Sequence, residues 1–389
     1  MNVNEAINLL DNISIPQRIE KVSWQNSMTR ILAEDIVADH DFPPFNRVMM
    51  DGFAFRYNDW LNGKRSFKIQ GFIGAGDNPE HLTAGECIEI MTGASLPHCF
   101  DCVIPIEKII LGDNEICIPE DHVPILNHHV HIKGTDYQKG TVLIAKGTQI
   151  TALHIAVLTS CGYSEVSVYQ LPKIAIVSTG DELVAIDETP LPYQIRMSNG
   201  HALQMLLQSY SREISVFHWK DNFDEMSLHM DDLHEFDILV FTGGVSKGKK
   251  DYMPQIWENA GFTKRIHGIQ QKPGKPIWVG HNENQILFGL PGNPVSALTC
   301  AIVYVLPWIR KNIGQINKAQ SIEIGTPYPI NDKLDLLLPV VYNDHRWEIL
   351  KNNGSGDLVG FSHAQGIVWV PKNSQENKDK QPLIYFPAP

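Results

Sequence analysis

A regular alternation of apolar strand-like segments and helical segments between residues 172 and 312 constrains the fold of this 389-residue chain most strongly. Strands that alternate with helices at this spacing predict a mostly parallel sheet covered by helices on both faces. The predicted strands are 173–178, 214–219, 238–241, 276–279 and 286–289, and the predicted helices are 198–210, 224–235, 254–260 and 294–312. Functional residues are expected at the carboxyl ends of the strands, because ligands of such sheets bind there.

The segments on either side of this alternation predict further domains. The first 35 residues are predicted to be helical, with Asn4 as a cap and a second helix over 27–35. Short strand-like runs separated by Gly, Pro and Asn-Asp turns predict β-rich structure elsewhere, so the fold class is multidomain α/β plus β. The predicted domains are an elongated, interrupted N-terminal domain (1–40 and 140–171), a β-rich insert (41–139), a central α/β domain (172–316) and a small C-terminal β domain (317–389).

The composition argues against several classes of protein. Hydrophobic residues make up 43% and charged residues 20% of the chain, as in folded soluble proteins. The net charge of −12 argues against a nucleic-acid-binding protein, which needs a basic surface. The N-terminus lacks the pattern of a signal peptide, and the most apolar stretch, 294–309, contains Pro307 and is too short to span a membrane. A cytoplasmic protein without membrane or nucleic-acid partners is therefore expected.

The cysteines and histidines predict neither a disulfide framework nor a metal centre. The six cysteines are expected to be reduced, and the pair Cys99 and Cys102 has no second pair to complete a zinc site. The cluster of His128, His129 and His131 lacks a carboxylate or cysteine at a matching helical spacing. A solvated loop is therefore favoured over a metal site at these histidines.

The most informative motif is the glycine-rich stretch 242–251, which follows the predicted strand 238–241. A glycine-rich turn between a strand and a helix leaves backbone N–H groups free to bind an anion. Three lysines in the same stretch add positive charge. Asp251 supplies a carboxylate that could hold the Mg²⁺ ion accompanying a phosphate.

Three further loops lie at or near predicted strand ends of the central domain. They are 178–183, 272–276 and 289–294. Together with the glycine-rich loop they would bring backbone donors and the side chains of Lys272 and Lys275 to a phosphate or another oxyanion. Glu182 and Asp251 would provide carboxylates for Mg²⁺. The four loops therefore predict a binding site for an anionic small molecule.

These motifs together resemble the MoeA family of molybdopterin molybdenumtransferases, which is related to the E domain of gephyrin. They occur in family order along nearly the whole chain. The matching motifs are Met50-Asp-Gly-Phe-Ala54, Met91-Thr-Gly-Ala94, Gly134-Thr-Asp136, Ser178-Thr-Gly-Asp-Glu-Leu183, Gly243-Gly-Val-Ser246 with Asp251, Lys272-Pro-Gly-Lys-Pro276 and Gly289-Leu-Pro-Gly-Asn-Pro-Val-Ser296. The fold implied by the resemblance has the same four parts, with a MoaB/MogA-like central α/β domain.

The resemblance implies that the protein inserts molybdenum from molybdate into adenylylated molybdopterin and releases AMP with Mg²⁺. The catalytic residues that it implies are Asp51, Asp136, Glu182 and Asp251. Of these, Glu182 and Asp251 would hold Mg²⁺, whereas Asp51 and Asp136, taken alone, are predicted to be turn residues. The implied substrate-binding residues are Thr92, Gly243, Gly244, Ser246, Lys272, Lys275, Pro291, Pro294, Ser296 and Ser355. An arginine that the family commonly uses to hold molybdate is replaced by an apolar residue near Leu338.

The resemblance also implies a homodimer whose active site lies between the central domain of one subunit and the insert of the other. Other proteins of molybdenum cofactor biosynthesis are implied as further partners. Two alternatives stay open: adenylylation of molybdopterin by a related α/β domain, and a non-catalytic scaffold of the same fold. The insert with Asp51 and Asp136 favours molybdenum transfer over adenylylation, and the retained acidic and lysine positions argue against a scaffold. A nicotinamide-dependent enzyme is not favoured, because no glycine fingerprint is followed by the required acidic residue.

Overall fold

The computed structural model describes residues 1–81, 85–245, 252–315, 320–374 and 382–389. Three six-stranded sheets form most of the β-structure in the insert, the central domain and the C-terminal domain. The boundaries of the N-terminal domain (1–40 and 140–171), the insert (41–139), the central domain (172–316) and the C-terminal domain (317–389) are predictions from the sequence. Within the described residues, no helix is long and apolar enough to cross a membrane.

The chain begins with one helix and two strands. They are α1 (Val3–Leu10), β1 (Ile19–Ser23) and β2 (Ile36–Val37). Asn2 caps α1, because its side chain accepts a hydrogen bond from the N–H of Glu5 while the Glu5 carboxylate accepts one from the N–H of Asn2. The prediction of Asn4 as the cap is therefore wrong, since Asn4 lies inside the helix.

The prediction of a helix over 27–35 is also wrong. This segment consists of turns and isolated bridges, in which Ile31 pairs with Gln149 and Leu32 pairs with Val168. Ile31 and Leu32 are both almost completely buried. The pairing with distant strands therefore overrides the local preference for a helix.

The insert forms a separate β-structure with one short helix. Its elements are β3 (Arg47–Val48), β4 (Gly52–Phe55), α2 (Tyr57–Leu61), β5 (Ser66–Ile73), β6 (Cys87–Ile90), β7 (Cys102–Pro105), β8 (Ile110–Leu111), β9 (Glu115–Cys117) and β10 (Val130–His131). The sheet has the order β7-β4-β6-β5-β9-β8, and β3 pairs with β10 beside it. The β-rich character predicted for the insert is thus confirmed.

The chain then returns to the N-terminal domain. The returning elements are β11 (Val142–Ile144), α3 (Ala152–Ser160) and β12 (Glu165–Tyr169). They pair antiparallel with the first segment, β1 with β12 and β2 with β11. The segments before and after the insert therefore pack as one unit.

The central domain contains the alternation that the sequence predicts. Its elements are β13 (Lys173–Thr179), β14 (Leu183–Val184), β15 (Ile195–Arg196), α4 (Asn199–Leu207), β16 (Glu213–Trp219), α5 (Phe223–His229), β17 (Ile238–Thr242), α6 (Met253–Asn259), β18 (Thr263–His267), β19 (Gln271–Lys272), β20 (Trp278–His281), β21 (Ile286–Leu290), α7 (Pro294–Cys300) and α8 (Leu306–Asn312). The sheet order is β16-β13-β17-β21-β20-β18. The first three pairings along this order are parallel and the last two are antiparallel, so β20 alone runs opposite to the other five strands and the mostly parallel sheet is confirmed.

Helices cover both faces of this sheet. Along β13, Ile174 and Ile176 join a core cluster with residues of α4, α7 and α8, whereas Ala175 and Val177 join a second cluster with residues of α5 and α6. Because successive residues of a strand point to opposite faces, the nearly continuous apolar sequence of β13 is explained by burial on both sides.

The predicted long helix over 294–312 is present as α7 and α8 joined by a π-helical turn, Ala301–Val305. This wider turn ends just before Pro307, in the first turn of α8. Proline removes a backbone donor and its ring clashes with the preceding turn of an α-helix, and a local π turn relieves that clash. The helix therefore continues past the proline.

The C-terminal domain is a β-sheet that includes one strand of the central domain. Its elements are β22 (Gln320–Ile322), β23 (Asp335–Asn343), β24 (Arg346–Ile349), α9 (Leu358–Phe361), β25 (Gly366–Val370) and β26 (Leu383–Pro387). The order is β19-β23-β25-β26-β22, with β24 paired to β23. The buried Asp335 carboxylate accepts hydrogen bonds from the N–H groups of Val3 and Lys372, both at 2.8 Å. The N-terminus, the central domain and the C-terminal domain therefore meet at β19 and β23.

Candidate active site at the carboxyl edge of the central sheet

A cavity of about 470 Å³, the first cavity, lies at the carboxyl edge of the central sheet. The loops that follow the parallel strands β13, β16, β17 and β21 all contribute to its wall. The predicted site residues that line it are Glu182, Gly243, Gly244, Pro291 and Pro294. The three loops that the sequence places after strands of the central domain therefore do converge, as expected for this type of sheet.

Two glycines allow these loops to pack closely. Gly243 has a φ of +100°, and a Cβ atom there would lie 2.6 Å from Oγ1 of Thr179. Gly180 has a φ of +143°, and a Cβ atom there would lie 2.5 Å from Oε2 of Glu182, so the Glu182 carboxylate folds back over this glycine. The N–H of Gly243 donates to the carbonyl of Leu290 at 3.2 Å. Gly243 therefore shapes the cavity wall, and its N–H already has a backbone acceptor.

Glu182 and Asp221 place two carboxylates on the first cavity. The loops that carry them are connected, because the N–H of Asp221 donates to Oδ1 of Asp181 at 3.1 Å. In addition, Nε2 of His218 lies 2.9 Å from the carbonyl oxygen of Gly180. Sequence reasoning missed Asp221, since a single aspartate after a strand forms no motif. Its place at the carboxyl end of β16 is the signal that could have identified it.

Asn199, at the start of α4, connects two other loops of the first cavity. Its Nδ2 donates to Oγ1 of Thr242 at 2.9 Å and to the carbonyl of Gly292 at 2.8 Å. The buried Thr242 hydroxyl in turn donates to the carbonyl of Pro291 at 3.2 Å. The loops after β17 and β21 are thus held together by Thr242, the first residue of the glycine-rich stretch, and by Asn199, which none of the sequence motifs includes.

A second cavity of about 570 Å³ adjoins the first, between the central and C-terminal domains. The two cavities share three wall residues, Pro276, Pro291 and Asn293. The predicted site residues that line the second cavity are Lys272, Lys275, Pro291, Ser296 and Ser355. Leu338 also lines it, at the place where the resemblance implies a lost arginine. Both lysines are exposed and can turn their ammonium groups towards an anion.

Ser355 reaches the second cavity on a short loop with its own hydrogen bonds. Its hydroxyl accepts a bond from Nδ2 of Asn293 at 3.0 Å. Asp357 accepts bonds from the N–H groups of Asn353 and Gly360, at 2.8 and 2.9 Å. These backbone N–H groups hold the pKa of the Asp357 carboxyl below its ordinary value. The loop that carries Ser355 is therefore fixed from both ends.

Asp51 and Thr92, which the sequence places far apart, are in contact in the insert. Oδ1 of Asp51 accepts bonds from both the N–H and the hydroxyl of Thr92, each at 2.7 Å. The backbone N–H, and after it the hydroxyl, lowers the pKa of Asp51. Asp51 is therefore a carboxylate anion near neutral pH, suited to orient a donor group of a substrate.

Asp136 forms a second polar pair in the insert. Its Oδ1 lies 2.9 Å from Nε2 of His131, and the other ring nitrogen of His131 lies 3.2 Å from Nη2 of Arg47. Because a guanidinium can only donate, Nδ1 is the acceptor and Nε2 carries the hydrogen that is donated to Asp136. The prediction that His131 belongs to a solvated loop is therefore wrong, since it lies in β10 between two charged partners.

The predicted site residues that the structure describes thus fall into two groups, those that line the two adjoining cavities and those in the insert. Among the residues that the structure describes, none from the insert lines either cavity, so Asp51, Thr92 and Asp136 stand apart within one chain. Ser246 and Asp251 lie outside the described residues. In the described ranges, no group of three or more His, Cys, Asp or Glu side chains is placed to hold a metal ion. None of the six cysteines, all of which lie within the described ranges, forms a disulfide.

Comparison with protein families matches two parts of the chain. Residues 1–162 match a family described as the MoeA N-terminal region (domain I and II), and residues 175–311 match a probable molybdopterin binding domain. The chain is 35% identical over 359 residues to a molybdopterin molybdenumtransferase from Synechocystis, covering 89% of each protein. It is 32% identical over 395 residues to a molybdopterin molybdenumtransferase from Staphylococcus epidermidis, covering 95% of this chain and 91% of that protein.

Two solved structures of molybdopterin biosynthesis MoeA proteins from Pyrococcus horikoshii resemble the whole chain. Their TM-scores are 0.85 and 0.83, at 28% and 25% sequence identity. The similarity covers 99% of this chain in both cases, and 98% and 99% of the two solved chains. It therefore includes the insert and the C-terminal domain as well as the central sheet.

The contact between Asp51 and Thr92 gives a testable prediction about pKa. We expect Thr92→Val to raise the pKa of Asp51 only part of the way to its ordinary value, because the larger cause, the backbone N–H, is retained. Thr92→Ser keeps the hydroxyl and should leave the pKa low. A carboxyl ¹³C NMR titration of Asp51 measures both, and an unchanged pKa in Thr92→Val would contradict the contact. Since the folded pKa lies below the unfolded one, any stability gained from this pair is lost as the pH falls through the folded pKa.

Proposed function

Because this chain belongs to the molybdopterin molybdenumtransferase family, whose members act in molybdenum cofactor biosynthesis, we propose that it transfers molybdenum from molybdate to adenylylated molybdopterin. The proposed reaction releases AMP and depends on Mg²⁺. Both substrates are anionic, so the site must offer donors and cations despite the net charge of −12. We also propose that the protein acts in the cytoplasm.

The observation that carries this proposal is the pair of adjoining cavities. The first cavity has the loops and carboxylates suited to the phosphate end of an adenylylated substrate, and the second has Lys272 and Lys275 for an oxyanion. The shared wall residues Pro276, Pro291 and Asn293 would let molybdate approach a substrate held in the first cavity. Holding two reactants in adjacent sites replaces an encounter in solution by a reaction within one complex.

The residues of the first cavity fit a magnesium ion. Mg²⁺ prefers carboxylate oxygens together with phosphate oxygens of the substrate, and Glu182 and Asp221 supply two carboxylates on this cavity. Because Gly180 has no side chain, the Glu182 carboxylate can fold back over it. When bound, Mg²⁺ would neutralise charge on the phosphate that leaves as AMP. We propose Asp251 as a further Mg²⁺ ligand, because it ends the glycine-rich stretch 242–251.

The residues of the second cavity fit molybdate. Molybdate is a dianion that needs charge-assisted donors, and the side chains of Lys272 and Lys275, which line this cavity, would supply them. The hydroxyls of Ser296 and Ser355, which also line this cavity, would add neutral donors. Leu338 contributes no charge, so the two lysines carry more of the binding than they would beside an arginine.

The proposed function predicts that Glu182→Ala and Asp251→Ala each abolish Mg²⁺-dependent AMP release. Loss of a carboxylate that holds the metal against the phosphate should lower the rate by about two orders of magnitude or more. The assay incubates purified protein with adenylylated molybdopterin, molybdate and Mg²⁺, and AMP is measured by chromatography. Glu188→Ala is the matched control, because Glu188 is exposed near the same loop and does not line the cavity. Near-normal turnover of both variants at saturating substrate would refute the metal assignment.

The second prediction concerns the lysines of the second cavity. Lys272→Ala or Lys275→Ala should raise the molybdate concentration needed for half-maximal insertion about tenfold to a hundredfold, since a charge-assisted hydrogen bond contributes roughly 1.5–3 kcal/mol. The thermal midpoint should barely change, because exposed lysines contribute little to stability. Lys21→Ala, an exposed lysine of β1, is the control for both readouts. A steep fall of the midpoint with an unchanged molybdate requirement would show that the lysines are structural.

We also propose that the insert acts on the cavities of a second subunit in a homodimer. Within one chain Asp51 and Asp136 do not reach the cavities, yet both are charged side chains held in defined hydrogen bonds. A two-fold dimer would bring the insert of one subunit to the central sheet of the other. Other proteins of molybdenum cofactor biosynthesis are proposed as further partners.

A shared site can be tested by mixing subunits. Asp51→Ala and Asp251→Ala proteins should each be inactive alone, because each lacks one side of every site. After subunit exchange at equal concentrations, about a quarter of the sites should be intact under two-fold symmetry. Exchange is confirmed by native mass spectrometry of differently tagged chains. No recovery of AMP release after confirmed exchange would argue against shared sites.

The same assay separates the two alternatives. An adenylyltransferase would consume ATP and molybdopterin and release pyrophosphate, without a requirement for molybdate. A non-catalytic scaffold would release neither product. Asp51, Asp136 and the lysines of the second cavity favour molybdenum transfer, since a site for adenylylation alone has no need of a second oxyanion cavity.

A further inference from the structure

The turn that carries Lys272 and Lys275 is organised by a buried glutamine. Gln271, in β19, is 1% exposed. Its Nε2 donates to the carbonyl of Pro273 at 3.1 Å and to the carbonyl of Gly274 at 3.2 Å. Both acceptors lie between the two lysines, so one amide group holds the middle of the turn.

The orientation of this amide is fixed from the other side by Tyr304. The Tyr304 hydroxyl donates to Oε1 of Gln271, which leaves Nε2 to face the turn. Tyr304 is 1% exposed and lies in the π-helical turn between α7 and α8. Burial raises the pKa of Tyr304, so the hydroxyl stays protonated and remains a donor.

The close fit around the turn leaves little room for another conformation. Gly274 has a φ of +82°, and a Cβ atom there would lie 3.0 Å from Nε2 of Gln271. The thiol of Cys300 lies 3.5 Å from the same nitrogen and 3.7 Å from the carbonyl of Gly274. The backbone of Gln271 is paired with Asp335 in β23. The turn is therefore held by its interior side chains and by the C-terminal sheet.

We propose that Gln271, oriented by Tyr304, is a positioning residue that fixes the backbone from which Lys272 and Lys275 reach the oxyanion. This inference rests on the proposed function of the second cavity and adds to it a residue that does not touch the substrate. A lysine ammonium is a point charge on a flexible stem, so the convergence of two of them depends on where their Cα atoms are held. A displacement of about 1 Å is enough to weaken such an arrangement strongly.

The chain contains a matched control for Gln271. Gln285 is also buried, and its Nε2 donates to two backbone carbonyls, of Leu233 at 2.9 Å and of Phe236 at 2.8 Å. It lines neither cavity. Gln271→Met and Gln285→Met therefore each remove two hydrogen bonds from a side-chain amide to backbone carbonyls. The first change lies beside the lysines and the second lies away from them.

A milder pair of variants covers the case in which Gln271→Met does not fold. Tyr304→Phe removes only the hydroxyl that orients Gln271. Tyr385→Phe is its control, because the Tyr385 hydroxyl donates to the carbonyl of Gln365 at 2.7 Å and lines neither cavity. Each replacement keeps the ring and its packing.

The first readout is the use of molybdate by the full-length protein. We expect Gln271→Met to raise the molybdate concentration for half-maximal insertion about tenfold or more, and Tyr304→Phe to raise it a few-fold. The requirement for adenylylated molybdopterin should stay unchanged. Equilibrium dialysis with sodium molybdate should show the same loss of affinity without turnover. Two results would overturn the inference. Gln271→Met and its control Gln285→Met could change the molybdate requirement equally, or neither Gln271→Met nor Tyr304→Phe could change it.

The second readout is independent of activity. The N–H groups of Ile269 and Ile277 both donate to the carbonyl of Lys275, at 3.0 and 3.1 Å, so their hydrogen exchange reports on the position of that residue. Exchange at both amides should become faster in Gln271→Met and Tyr304→Phe and stay unchanged in the two controls. If wild-type protein neither binds molybdate nor releases AMP, the proposed function fails, whereas unchanged exchange in both variants refutes the positioning role itself.

Discussion

Parallel pairing of β16, β13, β17 and β21 is the constraint on which the rest of this structure depends. Parallel strands end at the same edge of a sheet, so the loops after all four strands must meet there. Burial of both faces by helices leaves this edge as the place where polar side chains and irregular backbone can be exposed. The first cavity, with Glu182 and Asp221 on its wall, is a direct consequence of that geometry.

The second cavity depends on a different constraint, the exchange of one strand between domains. β19 leaves the central domain to pair with β23, and the turn that follows it returns at once to β20. The turn therefore lies between two sheets, with Gln271 inside and the lysines outside. Asp335 closes the same junction by accepting two backbone N–H groups. The net charge of −12 does not argue against the anion site proposed here, because local cations, and not the total charge, set the potential of a cavity.

Sequence reasoning failed where a contact depends on distant parts of the chain. The segment 27–35 has the residues of a helix, yet Ile31 bridges to Gln149 and Leu32 to Val168, each more than a hundred residues away. The sequence around His131 favours a solvated loop, but the folding of the insert places this side chain between Asp136 and Arg47. In each case the local pattern was compatible with two environments, and tertiary packing selected one of them.

The sequence by itself determined the alternation of strands and helices in the central domain, the glycine-rich loops at its strand ends and the family to which the chain belongs. These features are local, because periodicity and turn chemistry are written in neighbouring residues. Only the tertiary structure decided that Lys272 and Lys275 share one cavity with Ser355, that Asp221 joins Glu182 and that Gln271 holds the lysine turn. Those relations join residues brought together by sheet order and domain pairing, and the spacing of these residues along the chain does not encode their distances in space.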